Sequence, residues 1–297
     1  MPTFFRRYLT KLVLPAALAV ATTVTAASDV PAQEDTVTLG GREVVVWRPR
    51  NVSPGPQPIV IFSHGLGGCP TQSRFMTEGL SARGYWVFAP FHRDAGCGKP
   101  GPTARTPLPF SEPARWNDRT FANRADDVRA VIAALSAAPW SDHVDLSRLA
   151  VSGHSLGGYT ALVLGGGWPS SKAPSVRAVL ALAPYAEPFL VHGTLSGLAV
   201  PVMYQGGALD AGITEALRKR GGVYDKTGGP KYLVEFNGAR HSSWGNRPNG
   251  AHDAMLAYAA AFLDLYVRGS GDARLLTQPM PGVATLRFDA RDLGDKD

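Results

Sequence analysis

The chain has 297 residues and a formal net charge of +6, and its basic residues are scattered rather than clustered. This distribution gives no case for nucleic-acid binding or for attachment to an acidic membrane surface. The length suits one α/β domain. Beyond the N-terminal segment, no apolar stretch is long enough to predict stable insertion into a bilayer.

The first 27 residues are typical of a secretory signal peptide. Three basic residues, the last of them Lys11, precede a mostly apolar run that ends in small residues at Ala26 and Ala27. The run 6–11 partly resembles a twin-arginine signal, so that route is an alternative to general secretion. A membrane anchor is a further alternative, which the short run and Pro15 disfavour. We predict an exported protein, periplasmic or secreted, whose net charge falls to +3 when those three cations are removed.

Short apolar segments predict the strands of a mostly parallel sheet, and the first two form a hairpin that turns at Gly40-Gly41. The predicted strands are residues 36–39, 44–47, 58–63, 86–90, 149–151, 178–182, 200–205 and 232–236. Helical segments alternate with these strands. The predicted helices are residues 71–83, 116–138, 252–267 and the segment that follows Ser155. The alternation predicts an α/β fold, a doubly wound sheet with helices on both faces, formed by residues 28–297 as a single domain.

Cys69 and Cys97 are the two cysteines of the chain, and each lies in a loop just after a predicted strand. An even number of cysteines in an exported protein predicts one disulfide, which would hold the two loops together at one end of the sheet. Two free buried thiols are the alternative. Neither cysteine lies in a zinc-binding pattern, so we predict no metal site.

Residues 93–115 form a long irregular segment with five prolines and three glycines. Loops of this length are usually functional or disordered, and this one follows the carboxyl end of a strand, where open α/β sheets bind ligands. We interpret the segment as part of the wall of a substrate cleft, with a passive surface loop as the alternative. The tail from about residue 269 is polar and irregular beyond Leu276, and we assign it no role.

The most informative segment, residues 149–158, is typical of a buried strand, a sharp turn with Ser155 at its apex, and a helix. The turn contains a G-x-S-x-G pentapeptide, in which the glycines keep the flanks thin and the serine oxygen is exposed over the sheet edge. The pentapeptide alone is a weak signal, but its flanking segments fit this turn. A glycine-rich turn that binds nothing is the alternative. We predict that Ser155 is a catalytic nucleophile.

A serine nucleophile needs a histidine base and an orienting acid, which follow it along the chain in the order acid, then histidine. The histidines after Ser155 are His192, His241 and His252. We favour His241, because it lies in a loop just past a predicted strand. Asp210 follows the strand over 200–205 by a few residues and is the favoured acid, with Glu187 as its main rival. A plain helix N-cap is the alternative role of Asp210.

Acyl transfer also needs amide donors for the developing oxyanion. One predicted donor is the N–H of Leu156, the residue after the nucleophile, and the second is the N–H of Leu66, in the glycine-rich loop 64–68. A turn needed only for folding is the alternative for that loop. We interpret His64 as a packed, hydrogen-bonded histidine rather than a second base.

Four motifs together resemble the α/β-hydrolase superfamily. They are residues 64–67, residues 153–158, the Asp210 loop and residues 237–241. They are most similar to the bacterial cutinase and polyester-hydrolase group, and to dienelactone-hydrolase-like and platelet-activating-factor-acetylhydrolase-like proteins. The resemblance covers about residues 36–267 and implies an eight-stranded sheet, a Ser–Asp–His triad and no cofactor. Dienelactone hydrolases use a cysteine nucleophile where this chain has Ser155, so their activity is not implied.

Candidate substrate contacts lie on two loops. Polyester hydrolases often carry an aromatic residue after the strand that follows the nucleophile helix, and Tyr185 has a similar place here. Trp244 and Arg240, on either side of His241, are further candidates. The proline-rich segment departs from the simplest members of the group, so an open polymer groove is not implied.

The sequence therefore predicts an exported serine hydrolase that cleaves small or polymeric carboxylic esters through an acyl-enzyme intermediate. A second hypothesis is an amidase or depolymerase for an anionic polymer such as poly(aspartic acid). It is motivated by cations in predicted loops, namely Arg93, Lys99, Arg105, Arg240 and Arg247, although solvated surface charges are the plainer interpretation. A third hypothesis is a non-catalytic binding protein on a hydrolase scaffold.

Overall fold

Nine strands pair into one mixed sheet in the computed structural model, which describes residues 33–50, 54–97 and 108–290. The predicted signal peptide lies outside the described residues, as do residues 98–107 of the proline-rich segment, with Lys99 and Arg105. The strands are β1 Gln33–Leu39, β2 Arg42–Arg48, β3 Gln57–Ser63, β4 Trp86–Pro90, β5 Val144–His154, β6 Val176–Leu182, β7 Val202–Gly207, β8 Lys231–Phe236 and β9 Val283–Asp289. Their order across the sheet is β1-β2-β4-β3-β5-β6-β7-β8-β9.

The centre of the sheet is parallel and its edges are antiparallel. The strands β4, β3, β5, β6, β7 and β8 run in one direction. The hairpin of β1 and β2 lies at one edge, and β9 lies antiparallel to β8 at the other. The predicted α/β class with a mostly parallel sheet is confirmed, and the described residues form nine strands instead of eight.

The ninth strand corrects the prediction of an irregular tail from about residue 269. Residues 283–289 pair with β8 over its length, and Val283 and Leu286 pack against the core. Arg287 adds an ion pair to Asp225 at 2.5 Å. An edge strand buries few of its side chains, so its apolar pattern is weaker than that of the central strands.

Helices cover both faces of the sheet. Those described are α1 Arg74–Ala82, α2 Ala122–Leu135, α3 Leu156–Leu162, α4 Glu187–Val191, α5 Ile213–Arg218, α6 Val223–Lys226, α7 His252–Leu263 and α8 Arg274–Thr277. Side chains of α2 to α6 enter the core on one face, and side chains of α1, α7 and α8 enter the core on the other. Successive residues of each central strand alternate between the two cores, as the two-residue period of a strand requires. The result is a three-layer structure with helices outside and the sheet between them.

The second helix is shorter than the predicted span 116–138. Phe121 has a φ of 57°, in the left-handed region, so regular helix begins only at Ala122. The segment before it forms a short 3₁₀ turn at Pro113–Arg115. Among the described residues, no helix is both long and apolar enough to cross a bilayer.

Candidate active site

Ser155 lies in a strained turn between β5 and α3. Its φ of 55° and ψ of −115° are unfavourable for a residue with a Cβ atom. Main-chain hydrogen bonds hold it there, because the Ser155 N–H donates to the Leu182 carbonyl at 3.0 Å and the Ser155 carbonyl accepts the Tyr185 N–H at 3.1 Å. The end of β6 and the loop after it thus fix the position of the serine.

The two glycines beside Ser155 keep the turn thin, because the main chain of β3 passes very close to both of them. A Cβ atom on Gly157 would lie 1.8 Å from the Ser63 carbonyl oxygen, and one on Gly153 would lie 2.7 Å from the same atom. Only glycine fits at such separations. The serine turn therefore sits directly against the end of β3, where the loop 64–68 begins.

Three side chains from three strand ends meet at the carboxyl edge of the sheet. The Ser155 Oγ lies 2.9 Å from His241 Nε2, and His241 Nδ1 lies 3.0 Å from Asp210 Oδ2. The Asp210 residue is 8% exposed, whereas the His241 side chain is 40% exposed. The imidazole can therefore contact both solvent and a bound molecule while its orienting carboxylate stays shielded.

The rival residues lie elsewhere. Among the described residues, Glu187 forms no hydrogen bond or ion pair with His241. His192 bonds to the Ala114 carbonyl, and His252 bonds to the Ser243 carbonyl in the turn that carries His241. The structure thus brings together the favoured acid and base and leaves the alternatives apart.

Each partner of the serine is held by a compact turn. Asp210 follows β7 in a turn closed by the bond from its N–H to the Gly207 carbonyl at 2.9 Å, and Thr214 Oγ1 accepts the Gly207 N–H. His241 begins a 3₁₀ turn, His241–Trp244, a few residues after β8. Short connections of this kind leave little freedom for the two side chains.

Trp244 and Tyr185, two of the residues predicted to contact substrate, are buried, so the structure does not present them to a ligand. Trp244 is 0% exposed, and its indole N–H donates to Gln205 Oε1 at 3.1 Å. Tyr185 is 2% exposed, and its hydroxyl donates to the Phe110 carbonyl at 2.7 Å. Both aromatic side chains support the loops of the site from inside, whereas Arg240 is exposed beside His241.

Three amides of the loop 64–68 donate to acceptors inside the protein. The Gly65 N–H donates to Gln72, the Gly67 N–H to Asp94 and the Gly68 N–H to the Gly65 carbonyl. Within the part of the chain that the structure describes, the Leu66 N–H has no protein acceptor, and neither has the N–H of Leu156. Since backbone donors are normally paired, these two amides are available to a ligand.

A buried arginine orients the peptide that carries the Leu66 amide. Arg124 donates to the His64 carbonyl at 2.7 Å and to the Gly65 carbonyl at 3.1 Å. In a trans peptide the carbonyl and the following N–H point in opposite directions, so the Leu66 N–H faces away from Arg124. The guanidinium is 0% exposed and is itself held by Asp94 Oδ1 at 3.0 Å and Oδ2 at 2.6 Å.

The electrostatics of this network agree with its hydrogen bonds. Although burial alone raises it, the hydrogen bonds and charge of Arg124 hold the pKa of the Asp94 carboxyl below its usual value. Burial, His92 and Arg124 lower the pKa of His64 well below its usual value, so this histidine is neutral. Its Nδ1–H donates to the Gly65 carbonyl at 2.8 Å, in agreement with the predicted structural role.

The predicted disulfide joins Cys69 to Cys97, with the Cα atoms 5.8 Å apart. It ties the end of the loop 64–68 to the loop after β4. The Gly96 N–H, one residue before Cys97, donates to the Gly68 carbonyl at 2.9 Å. Within the described ranges, no group of three or more His, Cys, Asp or Glu side chains is arranged to hold a metal ion.

Comparison with known families agrees with this geometry. The sequence profile of the PET hydrolase-like family matches residues 111–277, more than half of the chain. The chain belongs to the PET hydrolase-like family. A second profile, that of platelet-activating factor acetylhydrolase isoform II, matches residues 37–99. Both families are ester hydrolases of the α/β-hydrolase superfamily, so the suspected superfamily is confirmed.

A curated relative of this PET hydrolase-like protein is the magnesium-chelatase 30 kDa subunit of Rhodobacter capsulatus. The two sequences are 27% identical over 206 residues, which cover 68% of this chain and 64% of the relative. The chain therefore spans less than two thirds of that relative's length.

The sequence alone did not reveal the residues that hold the loops of the site, namely Arg124, Asp94 and His154. Arg124 and Asp94 carry no motif, because a helix and a loop bring them together across 30 residues. His154 stands inside the pentapeptide, but its partners are Gln72 and the main chain of His241. The sequence offered one signal for His154, a bulky polar residue directly before the predicted nucleophile.

Proposed function

We propose that this protein cleaves carboxylic esters with Ser155 as nucleophile, His241 as general base and Asp210 as orienting acid. The observation that carries this proposal is the unbroken hydrogen-bonded path from the serine hydroxyl through the imidazole to a shielded carboxylate, with steps of 2.9 and 3.0 Å. The same three roles recur in serine hydrolases of unrelated folds.

The mechanism follows from the proton positions. The Asp210 carboxylate accepts the Nδ1–H of His241, which leaves Nε2 free to accept the proton of Ser155 as its oxygen attacks the ester carbonyl. The imidazolium then donates that proton to the leaving alcohol, and an acyl-enzyme remains. A water molecule, activated by the same imidazole, releases the acid and restores the serine.

The developing oxyanion requires donors that are fixed before the reaction. We assign this role to the amides of Leu66, in the loop 64–68, and of Leu156, directly after Ser155, neither of which has a protein acceptor among the described residues. The Leu156 amide is also at the N-terminus of α3, where the helix dipole favours negative charge.

The test is Ser155→Ala, with Ser147→Ala as a matched control on the exposed part of β5. We expect kcat for short-chain nitrophenyl esters to fall at least about 10⁴-fold in the first variant and to stay unchanged in the second. A fluorophosphonate probe should label the native protein and not Ser155→Ala. A native protein that neither turns over esters nor reacts with the probe would favour a non-catalytic binding protein instead.

A second candidate function is hydrolysis of an anionic substrate. It rests on Arg93, Arg240 and Arg247, whose side chains are exposed and form no ion pair within the described residues. Arg240→Gln should raise KM for an anionic ester several-fold relative to a neutral ester of equal length. If Arg240→Gln has the same effect on both esters, and the native protein does not cleave poly(aspartate), the anionic hypothesis fails.

We also propose that the protein is exported, by the predicted signal peptide over residues 1–27. The Cys69–Cys97 bond supports this proposal, because structural disulfides persist in oxidising compartments. Cell fractionation with an antibody against the mature chain tests it, and a full-length product retained in the cytoplasm would contradict it.

A further inference from the structure

Three hydrogen bonds join the three loops that form the proposed active site. The Gly65 N–H lies 3.0 Å from Gln72 Oε1, and Gln72 Nε2 lies 3.0 Å from His154 Nδ1. The other nitrogen of that ring, His154 Nε2, lies 2.8 Å from the carbonyl oxygen of His241. The path starts in the loop of the Leu66 amide, passes the residue before Ser155 and ends on the main chain of His241.

A single set of proton positions satisfies all three bonds. The Gly65 N–H needs an acceptor, so the oxygen of the Gln72 amide faces it and the nitrogen faces His154. That nitrogen donates, so His154 Nδ1 is the acceptor and the ring proton is on Nε2. The Nε2–H then donates to the His241 carbonyl, as the 2.8 Å distance requires.

The surroundings of His154 favour this neutral form. Its ring centroid lies 4.8 Å from that of His241 and 6.2 Å from that of Trp244. Burial and the neighbouring His241 lower the pKa of His154 to about 4, while the His241 carbonyl and Asp210 act in the opposite direction. At neutral pH the ring is therefore an uncharged link between an amide side chain and a carbonyl.

We propose that Gln72 and His154 are positioning residues for the ester hydrolysis proposed above, on which this inference rests. They hold the loop of the Leu66 amide and the loop of His241 at a fixed separation across Ser155. A tetrahedral intermediate must contact both loops at once, and small displacements of such groups reduce kcat strongly. Neither side chain touches the reacting atoms.

The decisive variant is Gln72→Glu, which keeps the shape of the side chain. The carboxylate still accepts the Gly65 N–H, but it also attracts the proton of His154 to Nδ1, so the neutral ring loses its donor to the His241 carbonyl. A second proton on the ring, at lower pH, restores that donor. We expect kcat about 10- to 100-fold below the native value at pH 9, with KM nearly unchanged. The ratio of variant to native kcat should rise as the pH falls towards 6.

The matched control is Gln278→Glu, the same substitution at an exposed position just after α8. For this control, the ratio of variant to native kcat should stay near one at every pH. A constant ratio in Gln72→Glu as well would overturn the proposal, because a purely structural defect does not follow the protonation of His154.

A second pair of variants tests the other bond. His154→Gln places an amide nitrogen near the former Nε2 and can still donate to the His241 carbonyl, whereas His154→Met cannot. The glutamine variant should keep several-fold more kcat than the methionine variant, and equal losses would contradict the proposed link.

The hydrogen bonds have a readout that does not depend on catalysis. In ¹⁵N NMR spectra, His154 of the native protein should carry its proton on Nε2 at pH 8, and in Gln72→Glu on Nδ1. If the variant shows this change of tautomer but the native protein does not hydrolyse esters, the proposed function is contradicted. If the native protein is active but the variant keeps the proton on Nε2, the positioning role is contradicted.

Discussion

At the scale of single residues, Asp210 decides which nitrogen of His241 carries the proton. Its carboxylate has no proton to give, so it stabilises the tautomer with Nδ1–H and leaves Nε2 as the acceptor for Ser155. This makes the chemical nature of the acid, rather than its bulk, the property on which the proposed mechanism depends.

Asp210→Asn tests that dependence. The amide can donate to Nδ1, which moves the ring proton to Nε2, where it blocks acceptance of the serine proton. We expect kcat to fall roughly 10⁴-fold with an unchanged fold, as measured by steady-state ester hydrolysis and circular dichroism. The control is Asp253→Asn, at an exposed position in the first turn of α7. A loss smaller than tenfold in Asp210→Asn would contradict the assigned role.

Single residues show clearly what the sequence can and cannot predict. The order of acid and base along the chain limited the candidates, and places just past predicted strands favoured Asp210 and His241 among them. The choice against Glu187 needed the contacts of the folded chain. Tyr185 and Trp244 were misassigned because an aromatic residue in a loop has the same sequence signature whether it faces a ligand or the core.

At the scale of elements, the loop 64–68 is held from several directions. Arg124 donates hydrogen bonds to carbonyl oxygens of this loop, and Gln72 and Asp94 accept hydrogen bonds from its N–H groups. The Cys69–Cys97 bond ties the end of the loop to the loop after β4. The hydrogen bonds set the local shape, whereas the disulfide limits the freedom of the unfolded chain.

Replacing both cysteines by serine separates these contributions. The two cysteines are separated by 28 residues, and loss of the bond should lower the free energy of unfolding by roughly 3.5 kcal/mol. The melting temperature should fall by roughly 7 to 14 °C. Well below the transition, kcat should stay within about tenfold of the native value, because the bonds to Arg124, Gln72 and Asp94 remain. Unchanged melting, or lost activity in a fully folded variant, would contradict this division of roles.

Most central strands were predictable to within a few residues, although β5 begins at Val144, five residues before its predicted start, and peripheral elements were largely missed. The parallel strands are buried on both faces, so continuous apolar runs mark them. The helices α4, α5, α6 and α8 have four to six residues each, too few to show a helical period. The strand β9 depends on pairing with β8, a tertiary contact that its own composition does not reveal.

At the scale of the whole molecule, three histidines are held neutral by the fold. Burial lowers the pKa of His64 and His92 well below the usual value of 6.5, and that of His154 to about 4. In the unfolded chain all three bind protons as the pH falls through about 6.5, while the folded protein resists this. The stability they contribute is therefore fully present above that pH and is lost as the pH falls.

Urea unfolding at pH 8, 7, 6 and 5 measures this effect. The free energy of unfolding should decrease below about pH 6.5, with a slope that corresponds to uptake of up to about three protons on unfolding. His154→Gln should reduce that number by about one. Stability that is constant from pH 8 to pH 5 would show that these rings titrate normally in the folded state.

Main-chain hydrogen bonds between neighbouring strand ends hold the site in place, whatever side chains line its surface. The amides of Ser155, Ala183 and Ala208, each just past a strand end, donate to Leu182, Gln205 and Phe236 on the next strand, at 3.0, 2.8 and 3.0 Å. Each of these hydrogen bonds uses main-chain atoms that every amino acid except proline carries. The surface above β6 and β7 can thus be redesigned for new acyl or alcohol groups while the alignment of the reacting groups is inherited from the backbone.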